Sequence, residues 1–313
     1  MAVETFHDQI ARNKRNSILL IGVFLLLFAG LGMLIGMVWS GGSPEFGIVV
    51  AIIAGLVAFV LTLASWFGGS GALLAMSRAR ELKREEDPQL YNVVEELCIA
   101  GGLPVPRIYL IDDTAMNAFA TGRNPKHAVV AITKGLRDRL NRDELQGVMA
   151  HELSHVRHYD ILYATLMAVM VGVLVMLCDV FLRSMWFGAG SRRRSSRDRD
   201  SGGGAAQIVL LVVALILAIL APILARIIHM ALSRQREYLA DSGAVELTRN
   251  PHGLASALAK LNGDTEVLEV ANRATAPLYI VHPIKKFEAR AKSVFSTHPP
   301  IDERIKRLMA LTV

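Results

Sequence analysis

Two histidines four residues apart, with a glutamate after the first, are the groups in this chain best placed to do chemistry: His151-Glu152-Leu153-Ser154-His155. On an α-helix, positions four apart lie one turn above the other on the same face. His151 and His155 therefore aim two imidazoles at one point, at a spacing that suits a zinc ion. Glu152, beside the first of them, can reach a water whose pKa such an ion lowers toward about 7, and can take its proton. The helix is itself signalled. Asn141 is an N-cap candidate, Glu144 follows three residues later, and Leu145, Val148 and Met149 form an apolar stripe.

Catalytic zinc uses three protein ligands and keeps one position open. One arrangement takes a glycine and a third histidine shortly after the motif, but those places hold His158 and Ile161. The other takes a glutamate from a later helix. Arg236-Glu237-Tyr238-Leu239-Ala240-Asp241 offers it, with Glu237 as third ligand. Asp241, one turn on, is spaced to accept a hydrogen bond from the far nitrogen of a ligand histidine and fix its tautomer. Taken alone, Glu237 and Asp241 are equally a solvated helix face; the H-E-x-x-H pattern favours the metal.

These segments sit in an unusual chain. Of 313 residues, 52% are hydrophobic, more than an ordinary soluble protein carries. The net charge is +6, with the basic residues beside apolar runs, which points to a membrane surface rather than to nucleic acid. No nucleic-acid-binding motif is present. Cys98 and Cys178 are the two cysteines; one lies in an amphipathic helix and one in an apolar run, so neither a disulfide framework nor cysteine ligation is expected.

Ile18 to Trp39 is uncharged and long enough to cross a bilayer, and Gly47 to Phe67 follows at once. The first run is too long for a signal peptide, and Ser40-Gly41-Gly42-Ser43 is not a small-x-small cleavage site. Arg12, Lys14 and Arg15 precede this hairpin, Arg78, Arg80, Lys83 and Arg84 follow it, and its loop has no Lys or Arg. Both flanks are therefore expected in the cytoplasm. A third run, Ile161 to Phe187, and a fourth, Ala205 to Ala225, flank a loop carrying Arg192, Arg193, Arg194, Arg197 and Arg199. With Asp198 and Asp200 its net charge is +3. Full crossing would put this loop outside, against the usual charge rule, so either the hairpin is an exception or it lies partly in the interface or against protein; crossing is the expectation, and a hairpin of this kind returns Glu237 to the compartment of His155. Ile161 starts roughly 9 Å of helix after His155, and Glu237 lies roughly 18 Å past Ala225, so the metal is expected near the membrane–water interface.

Between the hairpins, Asp87-Pro88 opens a helix that Gly101-Gly102 ends, and Arg107 to Asp112 and His127 to Thr133 read as short strands. Asn117 to Gly122 reads equally as an edge strand or as a turn connector. Asn250-Pro251 starts a further helix ending at Asn262-Gly263. Thr297-His298-Pro299-Pro300 precedes a last amphipathic helix with Ile305, Leu308 and Met309, and His298 reads equally as a catalytic donor or as a polar residue before a proline turn.

The combination resembles the HtpX-type bacterial membrane zinc metalloproteases, kin of the CAAX prenyl proteases within the gluzincin class that includes thermolysin. The residues that carry the resemblance are the leading apolar hairpin, N-A-F-A-T-G at 117–122, H-E-L-S-H at 151–155, the second hairpin, R-E-Y-L-A-D at 236–241 and S-T-H-P-P at 296–300. It implies one Zn2+ per chain, a substrate-lining role for Asn117, Ala118 and Phe119, and a transition-state role for His298. It also implies proteolysis of misfolded or damaged membrane proteins, or other unfolded polypeptides, at the cytoplasmic face of a bacterial inner membrane, often stress-linked. The Arg-rich loop is longer and more basic than the family pattern. The expected fold is a mostly α integral membrane protein of four hydrophobic helices with a zincin-like catalytic domain containing a small β element. Its parts are a transmembrane hairpin (1–71), two catalytic segments (72–160 and 231–313) and a second membrane hairpin between them (161–230). Two rival readings stay beside it: a CAAX-type processing protease, and a non-catalytic membrane scaffold with a structural metal.

Overall fold

The computed structural model describes residues 6–168, 170, 212, 215, 234–270, 278–281 and 299–311. The Arg-rich loop, most of the third and fourth apolar runs, and His298 lie outside the described residues. The chain divides into two compact units. One comprises Ile18–Ser65 and Val169–Ile227, the other Met1–Ser17, Trp66–Ala168 and Ile228–Val313.

Helices α1 (Phe6–Trp39) and α2 (Pro44–Met76), whose stretches 18–39 and 44–65 belong to the first unit, form an antiparallel pair joined at Gly41 and Gly42, both with positive φ. The stretches Ile10–Trp39 and Pro44–Met76 are each long and apolar enough to cross a membrane. Much of the apolar surface of α2 points outward: Ile48, Ile52, Ile53, Leu56 and Val60 are exposed. Such a face is suited to lipid rather than to water. The helices meet through small residues. A Cβ on Gly32 would lie 2.6 Å from the Cβ of Ala54, and one on Gly36 would lie 2.9 Å from Val50. In lipid, close backbone approach of this kind takes the place of a hydrophobic driving force.

The second unit is built on a four-stranded sheet: β1 (Arg80–Glu81), β2 (Arg107–Ile111), β3 (Ala118–Thr121) and β4 (Val129–Thr133), in the order β1-β2-β4-β3. β2 and β4 run parallel and the outer pairs are antiparallel, which leaves β3 at an edge. Within 117–122, Ala118–Thr121 is thus a strand, with Asn117 and Gly122 just outside its ends. All five residues of β4 are buried. Helix α3 (Pro88–Gly101) begins as its sequence dictates: the Asp87 side chain accepts from the Leu90 N–H, Pro88 fills a first-turn position, and Gly102 closes the end with a left-handed φ of 62°.

After the short α4 (Lys134–Arg139), helix α5 (Arg142–Arg157) carries the H-E-x-x-H motif through the middle of the unit. Leu145, Val148, Met149 and Leu153 are completely buried, in a core shared with Val130, Ile132, Leu254 and Leu258. A full capping box starts the helix: Asn141 Oδ1 accepts from the Glu144 N–H at 2.9 Å, and Glu144 Oε2 accepts from the Asn141 N–H at 2.9 Å. The same carboxylate takes bonds from Ser256 and Lys260 of α8 (Pro251–Gly263), each at 2.6 Å, which pins α5 to its neighbour. α8 crosses so closely that a Cβ on Gly147 would lie 2.6 Å from the Leu254 nitrogen. Asn141→Ala is expected to lower stability by about 1 kcal/mol. Denaturant unfolding of the detergent-solubilised protein measures this, and an unchanged midpoint would show the cap to be dispensable.

Three further helices complete the described part: α6 (160–168), α7 (234–248) and α9 (Ile301–Met309). α7 presses on α5 at Gly243, where a Cβ would sit 2.1 Å from Ser154 Oγ. That contact sets Glu237, nearer the start of α7, opposite the two histidines.

Candidate metal centre

His151 and His155 stand one turn apart on α5, with ring centroids 4.8 Å apart and planes nearly perpendicular. Glu237 reaches them from α7. The three ligand atoms all lie within 4.8 Å of one another. His151 Nε2 is 3.6 Å from Glu237 Oε2, and His155 Nε2 is 3.6 Å from Glu237 Oε1. Two ligands held at about 2.1 Å from a tetrahedral zinc are about 3.4 Å apart, so the spacing fits such an ion.

The other nitrogen of each ring is already engaged. His151 Nδ1 is 3.0 Å from Asp241 Oδ1, and His155 Nδ1 is 3.0 Å from Asp160 Oδ2. Each carboxylate is placed to accept an Nδ1 proton, and a neutral ring held this way turns its Nε2 lone pair toward Glu237. The surroundings favour positive charge here. Burial alone pushes both imidazole pKa values down. Asp160 and Glu237 overcome it and push His155 up to about 10, and Asp241 and Glu237 raise His151 as well. Burial raises Glu152, and the neighbouring imidazoles offset part of that; the main-chain N–H of Ala120 also bonds to its carboxylate. The donor set, its tautomers and its electrostatics all fit a divalent cation.

Three residues at the site were not identified from the sequence. Among the described residues, Arg304 of α9 is the largest fully buried side chain. Its Nε donates to Asp241 Oδ2 at 2.9 Å and its Nη2 to Asp241 Oδ1 at 2.7 Å. Its Nη1 lies 3.1 Å from Glu237 Oε2. One guanidinium thus holds both the third ligand and the residue behind the first. A signal was available: Ile301, Arg304, Ile305 and Leu308 fall on one helical face, so the cation lies in an otherwise apolar stripe.

Asp160 follows Tyr159, whose φ of 62° turns the chain out of α5. Behind Asp160 stands Asn13 of α1. Its amide donates to Asp160 Oδ1 at 2.7 Å and to the His158 carbonyl at 2.8 Å. The sequence marks this N-terminal stretch only by its charges, and nothing in it singles out Asn13. Because Asn13 fixes the carboxylate that orients His155, Asn13→Ala is expected to weaken zinc binding by about tenfold, the lower end of losses seen behind a ligand. Competition with a zinc chelator reads this, and an unchanged dissociation constant would make the contact incidental.

Asn117 immediately precedes the edge strand β3, Ala118 and Phe119 begin it, Ala120 follows on the same strand, and Asn117, Ala118 and Phe119 are all buried. Thr133 donates its N–H to the Asn117 carbonyl, so Ala118, next in line, turns its carbonyl away from β4 toward the outer edge, where it accepts from the Ile280 N–H at 3.0 Å.

A family model described as peptidase family M48 matches residues 84–312. A protease HtpX homolog of Dictyoglomus thermophilum is 47% identical over 97% of this chain and 94% of its own. A protease HtpX homolog of Thermoanaerobacter pseudethanolicus is 43% identical over the full length of both. Another, of Ligilactobacillus salivarius, is 41% identical over 96% of this chain and 98% of its own. Among solved structures, the crystal structure of S. mikatae Ste24p aligns with a TM-score of 0.49 at 19% identity, over 96% of this chain and 66% of that one.

Proposed function

The chain belongs to peptidase family M48, and from that premise we propose that it is a zinc-dependent endopeptidase cleaving misfolded or damaged membrane proteins at the cytoplasmic face of a bacterial cell membrane. The observation that carries this reading is the convergence of His151 Nε2, His155 Nε2 and Glu237, each held from behind by a buried partner.

His151, His155 and Glu237 would hold the ion. When bound, zinc supplies Lewis-acid polarisation of the scissile carbonyl and makes an attacking water more acidic. Glu152 holds no ligand duty in this scheme. Its carboxylate, steadied by the Ala120 N–H, takes the proton from the water and later gives one to the leaving amine. The outer edge of the sheet at Asn117, Ala118 and Phe119 binds the substrate in extended form, as an added strand. Asp241 and Asp160 keep the imidazoles in the productive tautomer, and His298 donates a hydrogen bond to the oxyanion, a role that rests on the family pattern. The two apolar helices and the basic residues flanking them support the membrane location and cytoplasmic orientation.

The test is cleavage of β-casein by the purified protein with and without a metal chelator, together with metal analysis of the same sample. Chelator-sensitive cleavage and about one zinc per chain are expected. Cleavage that survives complete metal removal would defeat the reading. Trapping in membranes with the Glu152→Gln protein then identifies the physiological substrates.

A further inference from the structure

An edge strand presents unpaired main-chain groups, and an extended polypeptide docks by pairing with them. Here the chain's own residues already lie on that edge. Ile280 donates its N–H to the Ala118 carbonyl at 3.0 Å. The Ile280 carbonyl accepts from Arg304 Nη1 at 3.1 Å, the same nitrogen that touches Glu237. Asn117 grips the next peptide in both directions. Its Nδ2 donates to the Val281 carbonyl at 2.9 Å, and its Oδ1 accepts from the Val281 N–H at 3.4 Å. Tyr279 meets Phe119 edge to face, with ring centroids 5.1 Å apart, and its hydroxyl pairs with Ser77 Oγ at 3.2 Å.

The order of these contacts is informative. Residues 279, 280 and 281 meet 119, 118 and 117 in turn, so the segment runs antiparallel to β3. It spends its polar groups on a strand carbonyl, a side-chain amide and a guanidinium next to a metal ligand. A substrate backbone crossing the same edge would use this set of partners.

We propose that residues 278–281 are an inhibitory strap, which holds the substrate position at the sheet edge and must be displaced before a polypeptide reaches the metal centre. This rests on the peptidase reading above. Displacement exchanges one set of backbone hydrogen bonds for a similar set, so it is nearly balanced in contacts. The strap, however, is intramolecular and competes at an effective concentration on the order of millimolar. Short peptides are then poor competitors. Long unfolded chains, which make further contacts along the edge, are favoured.

Hydrogen exchange followed by mass spectrometry tests this on the full-length Glu152→Gln protein in detergent, with and without β-casein, binding being followed by the anisotropy of labelled casein. The fragment spanning 278–281 should exchange at least about tenfold faster once casein is bound, while fragments of α3 stay unchanged. Equal or slower exchange at 278–281 with casein bound overturns the strap. Val281→Pro in the otherwise unaltered protein removes the N–H given to Asn117, and should lower KM for casein several-fold with kcat unchanged. A folded, zinc-loaded Val281→Pro protein with an unchanged or higher KM also overturns it. If that variant does not fold, the exchange measurement decides alone. Casein that the parent protein neither binds nor cuts defeats the peptidase reading, and the strap falls with it.

Discussion

Replacing Glu152 by glutamine is expected to leave the protein folded and loaded with zinc while lowering kcat by about 10³-fold, within the range a general acid–base group contributes. The amide has the shape of the carboxylate and can keep the bond from the Ala120 N–H. It cannot accept the proton of the attacking water. Zinc should stay, because the ligands converge on Glu237 and not on Glu152. Stability should hold or rise. Glu152 is buried, and burial pushes its pKa above the ordinary carboxylate value, so a neutral group suits the position at least as well. By contrast, His151→Ala, His155→Ala and Glu237→Ala should each lose metal and activity together. The deciding measurement is kcat and zinc content on one preparation. Glu152→Gln activity within tenfold of the parent would remove Glu152 as the base, and loss of zinc would make it a ligand.

Arg304→Ala is expected to cost about 3–5 kcal/mol of stability and most of the zinc affinity, because it removes one partner of a buried ion pair. Asp241 takes two hydrogen bonds from the guanidinium, and Glu237 lies against its third nitrogen. Without Arg304, two buried carboxylates face each other across the histidines, and Asp241 loses the clamp that aims it at His151 Nδ1. Arg304→Lys should recover the charge and only part of the function, since an ammonium cannot make the two-pronged contact. Thermal unfolding with and without zinc, beside chelator competition, reads both effects. An Arg304→Ala protein with parental melting temperature and zinc affinity would reduce the buried arginine to a packing residue.

What the sequence determined by itself is what local periodicity carries. A 3.6-residue repeat puts His151 and His155 on one face, and the same repeat puts Glu237 and Asp241 one turn apart. Asn141 and Glu144 mark a helix start because a capping box needs only four consecutive residues. Two long uncharged runs mark candidate membrane helices by composition alone. β1 was not legible, because two residues are too few to show alternation. The character of 117–122 was left open because a short apolar stretch becomes a strand only when β4 supplies its partner.

Only the tertiary structure decided what stands behind the ligands. Asn13 reaches Asp160 across 147 residues, Arg304 reaches Asp241 across 63, and Val281 reaches Asn117 across 164. None of these pairs shares a helix or hairpin whose period would announce it. Burial is the reason they exist. A carboxylate, an amide or a guanidinium removed from water must find its hydrogen bonds within the protein, and packing determines which distant residue supplies them.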